Sequence, residues 1–434
     1  MADMVRAKIT NRMVFFDKML IEWRRNMKKF IVILGVLLLT MAAFSACGSN
    51  DSPMDGNVEN LSTELTIATP WASGFLEAAA RRFEDMYDGR YTVTIVVYDD
   101  VMTYGQVLNT AIMSGMGEDI LDVWGVPWQR IADVGGLLDL NHLISFQSEE
   151  FYQGVLDAFL QDGRRYAVPL GFRIDAFRLH DVAEDYIVNP NRFTLEDIIA
   201  LSNAHPDRSL ITGPMGMSDV TLAHRFFNLY FEDFIDLHNR TANVDSEKFI
   251  NLLLDVQLLS ESIMGGDWSE ALIQETVMHN PAMNAEGIVD NTGLNLFTNS
   301  RGEGIVVPST LFAVNANASN PALAARFIQF LLSEEMQSSP EMFGTPVNRN
   351  AAVINGQGTW DGSLALGFVP DGVDFDTNLA VFNALANRLT LAGTSDPFIG
   401  GFVSDEMSRF FVGEITAEQA AANLQARLMM YLNE

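Results

Sequence analysis

The sequence predicts an α/β protein built on a parallel sheet covered by helices, with chain enough for two domains. Three observations lead there. From Leu65 to Val126, β-branched runs alternate with helical patterns, the strand–helix–strand–helix–strand order that makes parallel sheets. Further on, two apolar runs, 163–175 and 304–315, are broken by Pro and Gly, so neither suits a regular central strand over its whole length. Finally, 434 residues with 48% hydrophobic and 10% aromatic content describe a globular chain with sizeable cores.

The elements follow in order. Residues 65–68, LTIA, form a short strand ended by Thr69-Pro70. A helix from Ser73 carries Phe75, Leu76, Ala79, Ala80, Phe83 and Tyr87 on one face. YTVTIVVY, 91–98, is the second strand. A helix over about 104–115 buries Val107, Leu108, Ala111 and Ile112, and ILDVWGV, 120–126, is the third strand. Thr194, with Asp197 three residues on, opens another helix through a capping box. Residues 221–235 read as a buried aromatic helix and 246–264 as an amphipathic one. Asn320-Pro321 opens a helix whose inward face is Leu323, Ala324, Phe327, Phe330 and Leu331. Residues 343–351 read as a loop and 377–391 as helix. The last helix, 416–432, starts on a Thr416–Gln419 box.

Ahead of all this stands MKKFIVILGVLLLTMAAFSACG, 27–48. Lys28 and Lys29 precede an apolar run from Phe30 to Ala43, which ends in small residues. That is the pattern of a secretory signal, and the run is shorter than the ~20 residues of a spanning helix. Phe44-Ser45-Ala46-Cys47 resembles the lipobox of bacterial lipoproteins, with Phe where that family prefers Leu. The resemblance implies cleavage before Cys47 and lipid on its sulfur and new amino group; the other reading is an uncleaved anchor helix. Either way the remainder is expected outside the cytoplasmic membrane and held to it. Residues 1–26 are too long and mixed for a signal head, so Met27 is the expected start and 1–46 are set aside. Residues 47–63, polar and rich in Gly, Ser, Asp and Asn, are the expected tether.

Residues 1–46 hold 8 of the 27 basic and 3 of the 56 acidic residues, leaving 19 basic against 53 acidic, a formal charge of −34, from Cys47 onward. Such a surface disfavours nucleic acid and anionic lipid as partners. With a single cysteine no intrachain disulfide forms. His142, His180, His205, His224, His238 and His279 are scattered, without metal-ligand spacing. Neither a metal nor a cofactor is expected.

Five tryptophans follow the leader: Trp71, Trp124, Trp128, Trp268 and Trp360. All lie beside turn formers, at element ends where loops gather. Ligands of open α/β sheets bind outside the carboxyl ends of strands, which is where Trp71, Trp124 and Trp128 fall. A flat indole suits the C–H face of a sugar ring, and planar polar groups suit its hydroxyls. Arg173 and Asp175 follow the first Pro-broken run; Ser309 and Thr310 follow Pro308 in the second. The candidate ligand-binding set is therefore Trp71, Tyr104, Trp124, Trp128, Phe172, Arg173, Asp175, Trp268, Ser309 and Thr310. Each has a plainer reading: a core or rim indole, a structural ion pair, a hinge-packing Phe172, a loop-capping Tyr104.

Four segments carry a wider likeness: GRRYAVPLGFRID (163–175), SNPALAARFIQFLLSEEMQ (319–337), GTPVNRNA (344–351) and AANLQARLMMYLNE (421–434). In this order, behind a lipobox, they resemble landmarks of extracellular solute-binding proteins of ABC importers, in the carbohydrate-type class, over about 64–434. The resemblance implies a two-lobed, type II periplasmic-binding-protein-like fold joined by a hinge. The lobes would be 64–167 plus 309–352, and 168–308 plus 353–434. The chain would cross near 166–172 and return near 306–312. It further implies a monomeric receptor that closes on a small-molecule solute, a sugar or oligosaccharide, and hands it to membrane permease subunits. One departure is Arg178-Leu179-His180-Asp181-Val182, where relatives have a Tyr-Asn-Lys-Asp-like turn on the cleft rim. The rival reading is a surface glycoside hydrolase with two acidic residues as acid and nucleophile, or a receptor for a non-sugar solute. No His-Glu-x-x-His, Gly-x-Ser-x-Gly or phosphate-cradling loop supports an enzyme.

Overall fold

The computed structural model describes residues 62–434 except 99, 147–148, 187–188, 190, 213–216, 264–269, 285–286, 289–292, 361–373 and 395. The leader, Cys47 and Trp268 therefore lie outside the described residues.

The chain opens as β1 (Glu64–Thr69), α1 (Gly74–Met86), β2 (Thr92–Val97), α2 (Val101–Met113) and β3 (Ile120–Asp122). β1 pairs in parallel with both β2 and β3, as the alternation of patterns requires. Ser73 caps α1 by accepting the Leu76 N–H at 3.3 Å. The inward face of α1 places Phe83 edge-on to Phe327 at 5.0 Å. The sequence suggested that the third strand runs to Val126; it stops at Asp122. The Asp122 carboxylate captures the Trp124 N–H, and Gly125 adopts φ +69°, a left-handed turn open to glycine. Helix α3 (Trp128–Asp133) follows.

Next come β4 (Ala167–Leu179), α4 (Leu195–Ala204), β5 (Ile211–Thr212), α5 (Asp219–Leu229), the short pair β6 (Ile235–Asp236) and β7 (Thr241–Ala242), and α6 (Glu247–Ile263). Then follow β8 (Ile273–Asn280), β9 (Met283–Asn284), β10 (Gly287–Ile288), β11 (Leu294–Asn295), β12 (Gly304–Ile305) and β13 (Val307–Val314). The chain finishes with α7 (Pro321–Leu331), β14 (Thr345–Pro346), α8 (Arg349–Trp360), α9 (Phe375–Ala386), β15 (Leu389–Leu391), α10 (Pro397–Phe411) and α11 (Ala417–Asn433). Among the described residues eleven strands form one sheet, ordered β10-β9-β8-β4-β13-β3-β1-β2, with β11 and β14 also on β4 and β5 on β8.

Four expectations need correction. β4 is continuous through Pro169 and Gly171. The irregularity falls on its partner β13, whose register shifts between Pro308 and Leu311. The helix expected over 221–235 ends at Leu229, and Ile235 already belongs to β6. Residues 389–391 are strand, paired with β12, not the end of a helix. The loop over 343–351 contains β14, whose Thr345 pairs with Phe172, and the start of α8.

Two hydrophobic cores divide the chain. The first runs from Leu65 to Ala176 and from Leu311 to Ala352. The second runs from Phe177 to Ile273 and from Ile399 to Leu432. Thus β4 changes cores between Ala176 and Phe177, while Met278, Leu294, Leu296 and Val306 already belong to the first core ahead of β13. Phe382, Leu385, Ala386 and Leu389, grouped by sequence with the second lobe, pack in the first core. The chain passes to the second core once more between Leu389 and Ile399.

Candidate functional site

The parallel register of β1 and β3 fixes the first part of the site. Ala68 lies opposite Leu121, so Thr69 and Asp122 end the two strands side by side. The Thr69 hydroxyl donates to Asp122 Oδ2 at 3.3 Å and accepts the Trp71 N–H at 3.3 Å. Asp122 Oδ1 accepts the Trp124 N–H at 3.1 Å. One hydrogen-bonded chain, Trp71–Thr69–Asp122–Trp124, therefore holds both indole-bearing loops at adjacent carboxyl ends. The two indoles remain 48% and 44% exposed, while Asp122 is buried. Burial pushes the Asp122 carboxyl up to about 6, against the stabilising Trp124 and Thr69 hydrogen bonds.

β13 brings the next groups alongside. Val123 N–H donates to the Leu311 carbonyl at 2.7 Å, which puts Thr310 one step on, beside Trp124. Ser309 and Thr310 are half-buried. Gly344, at φ +78°, leaves room for Ser309; a Cβ there would lie 2.0 Å from the Ser309 Oγ. Val307 pairs with Arg173, three residues before the last first-core residue of β4, Ala176. Arg173 Nε donates to Asp175 Oδ1 at 3.0 Å, and both side chains are more than a third exposed. A larger electrostatic cluster lies behind them. Arg225 pairs with Glu275 and stacks on Phe297 at 4.6 Å. Burial holds the Glu275 carboxyl above its usual range despite Arg225, and Asp175 adds to the rise. Burial, then Arg173, holds His279 below the ordinary imidazole value.

The remaining predicted residues lie elsewhere. Tyr104 is buried; its hydroxyl reaches the carbonyls of Asp122 at 2.7 Å and Ala68 at 3.2 Å. Its ring offers no face to solvent, and its service is to tie the ends of β1 and β3 together. Phe172 is fully buried, edge-on to Tyr152 at 5.3 Å and near Phe382 at 6.2 Å. Trp128 is buried too, because it begins the amphipathic turn that also buries Ile131 and Ala132. It lines a cavity of about 560 Å³ that Trp71 and Trp124 do not reach. Asp175 lines a smaller one, about 210 Å³, with Thr221, His224, Arg225 and Asn228. The two cavities share Asn228 and Leu229.

Sequence reasoning missed Thr69 and Asp122, although Thr-Pro-Trp and Asp-Val-Trp repeat one pattern at two strand ends. It also missed the polar face of α5, whose Thr221, His224, Arg225 and Asn228 recur at helical spacing. Among the described residues no group of His, Cys, Asp or Glu could hold a metal. No described helix is long and apolar enough to cross a membrane.

No protein-family model matches the chain, and no curated protein matches it. Solved structures do. An extracellular solute-binding protein family 1 member from Alicyclobacillus acidocaldarius is 14% identical, covers 87% of this chain and 100% of its own, and has a TM-score of 0.54. The cyclic alpha-maltosyl-1,6-maltose binding protein from Arthrobacter globiformis is 16% identical, covers 85% and 98%, and scores 0.53. The GacH receptor of Streptomyces glaucescens, solved unliganded and with acarbose, is 15% identical, covers 86% and 98%, and scores 0.51. At these identities the likeness is one of fold: two α/β lobes of the periplasmic-binding-protein type II class.

Proposed function

We propose that this protein is an extracellular receptor that captures a neutral sugar or oligosaccharide and delivers it to an ABC permease. One observation carries the reading. Trp71 and Trp124 present half-exposed indole faces at adjacent strand ends, on loops fixed by one buried carboxylate. Indole faces take the C–H faces of pyranose rings, and Thr310, Ser309 and the Arg173–Asp175 pair are hydroxyl partners along the same edge. Structures of this fold include proteins named for maltose-type and acarbose ligands, which supports the class of solute. The two cores are the two lobes, and closure about β4, β13 and the 389–399 passage buries the ligand. The leader pattern and Cys47 support delivery across the membrane and a lipid anchor at its outer face.

The protein works as a binder. A retaining or inverting glycosidase needs two carboxyls flanking the bond to be cut. The carboxyl that fixes the indole loops, Asp122, is buried and engaged by those loops.

Calorimetry with glucose, maltose, maltotriose and α-cyclodextrin tests this. The expected result is saturable binding of at least one sugar, weakened about tenfold or more by Trp71→Ala or Trp124→Ala. Absence of binding by the whole series points to another class of solute. Release of shorter sugars during incubation points to an enzyme.

A further inference from the structure

Two tight turns meet between the cores, one from each side. On the first side, Gln161 and Arg164 exchange backbone hydrogen bonds at 3.0 and 2.9 Å. They close around Asp162 and Gly163, at φ +51° and +74°, the two-residue hairpin turn with both central residues left-handed. Gln161 Nε2 ties this turn to α3, donating to Asp133 at 2.6 Å. From the second side comes the β6–β7 hairpin. Its Asp236 accepts the Asn239 N–H at 2.8 Å and Asn239 Nδ2 at 2.7 Å. Arg240 is left-handed at φ +55°, and its carbonyl accepts from Asn433 of α11 at 3.5 Å. Each tip is thus fixed by its own hydrogen bonds. The tips touch through His238 Nδ1 and Asp162 Oδ2, 2.9 Å apart.

Charge is sorted across this seam. Asp133 and Asp162 stand on the first side, His238 and Arg240 on the second. Burial holds the Asp133 carboxyl above its usual range and Asp162 adds to the rise, while Arg240, Gln161 and His238 draw it back. The other charges bearing on the pair are Asp236, engaged by Asn239, and Arg164, whose guanidinium meets the Tyr166 hydroxyl at 3.1 Å. Asp157, Lys248 and Arg301 line the cavity alongside, but are matched by Arg165, Asp233 and Glu303.

We propose that His238 and Asp162 form a proton-operated clasp, holding the lobes together more firmly as the pH falls from 8 to 5.5. Histidine is the side chain that ordinarily changes charge between pH 5 and 8. Protonation turns its contact with Asp162 from a neutral donor on a carboxylate into an ion pair. Opening parts the two tips, so the proton favours the form in which they touch. The side chains are 68% and 54% exposed, and solvent screening keeps the effect to about two- to fivefold in the ratio of open to closed protein. The clasp rests on the two-lobed fold and not on which solute the protein takes.

Distances between spin labels on Met116→Cys and Leu258→Cys test it, in the full chain carrying Cys47→Ser. Both label sites are exposed, one on each lobe, and electron–electron resonance resolves the closed and open populations without any ligand. From pH 5.5 to pH 8 the open-to-closed ratio should rise about two- to fivefold. His238→Gln and Asp162→Asn should each abolish the rise, and combining them should add nothing further. Asn tolerates the left-handed backbone of position 162, so that variant keeps the turn, and matching melting curves check it. A ratio that does not move with pH overturns the inference. So does a rise that persists in His238→Gln, which would belong to another acid such as Asp133, or one that persists in Asp162→Asn. No sugar is present, so a chain that binds none would overturn the proposed function and leave this result standing.

Discussion

Asp122 Oδ1 accepts the Trp124 N–H at 3.1 Å from a fully buried position. Its other oxygen reaches Trp71 through Thr69. An ionised carboxylate accepting such bonds aims both loops, yet burial raises its pKa to about 6 from the usual 3.8. The sign follows from that direction. An acid whose folded pKa lies above its unfolded one holds its stabilising contribution below pH 3.8 and loses it as the pH rises through 6. Asp122→Asn keeps an acceptor for Trp124 without the charge. It should gain on the wild type by about 2–3 kcal/mol between pH 4 and pH 7.5. Urea unfolding at the two pH values checks this, and equal gaps at both would contradict it. Asp122→Ala, which removes both acceptors, should weaken sugar binding where Asp122→Asn largely preserves it.

Tyr104→Phe isolates a bridge rather than a contact. The hydroxyl spans the carbonyls of Ala68 and Asp122, and its loss leaves the ring in place. A cost of about 1–2 kcal/mol is expected, seen as a lower melting temperature. Sugar affinity should change less than twofold, because the ring lies in the core. A large fall in affinity with unaltered stability would return Tyr104 to the ligand.

The Arg225–Glu275 pair is mostly buried, and removing one partner of such a pair costs about 3–5 kcal/mol. Arg225→Ala also loses the stacking on Phe297. The deficit should be largest at neutral pH and shrink as acid neutralises Glu275, whose carboxyl is already held high by burial. Glu275→Gln, which keeps an acceptor for Arg225, should cost less than half as much. Denaturant titrations at pH 7 and pH 5 separate the two variants.

Much of this was open to sequence reasoning where the signal was local. The Thr194–Asp197 box, the Asn320-Pro321 start and the Thr416–Gln419 box each depend on residues three or fewer apart, and each helix begins there. β15 was not legible. Leu389–Leu391 continues an apolar helical pattern, and only Gly304–Ile305, far back in the chain, makes it a strand. The indoles divided for the same kind of reason. Trp71 and Trp124 lie in turns, but Trp128 starts a turn of helix with Ile131 and Ala132 at i+3 and i+4. That spacing was the available mark of burial, and the neighbouring Pro and Gly obscured it. Which lobe Phe382 joins depends on packing against Tyr152 and Phe172, a contact no local pattern encodes.

Arg130 and Tyr431 offer the sharpest test of lobe closure. Arg130 belongs to α3, which packs in the first core, and its guanidinium lies 4.2 Å over the Tyr431 ring of α11, in the second. The Tyr431 hydroxyl donates to Asp396 at 2.9 Å, and Asp396 caps α10 through the Phe398 N–H at 2.9 Å. Arg130 therefore rests on a platform fixed at two helix ends. Opening about the β4 and β13 crossings would carry α3 away from α11 and break this contact, while the platform, internal to the second core, stays intact. A cation–π contact of this kind contributes about 0.5–2 kcal/mol. Arg130→Ala should shift the ligand-free protein toward the open form, raising its radius of gyration in small-angle scattering. It should lower sugar affinity about three- to tenfold, mainly through faster dissociation, with thermal stability nearly unaltered. Arg130→Lys keeps the charge without the planar stack and should fall between. An unaltered radius together with unaltered affinity would mean that α3 and α11 stay in contact in every state, and the hinge would have to lie elsewhere.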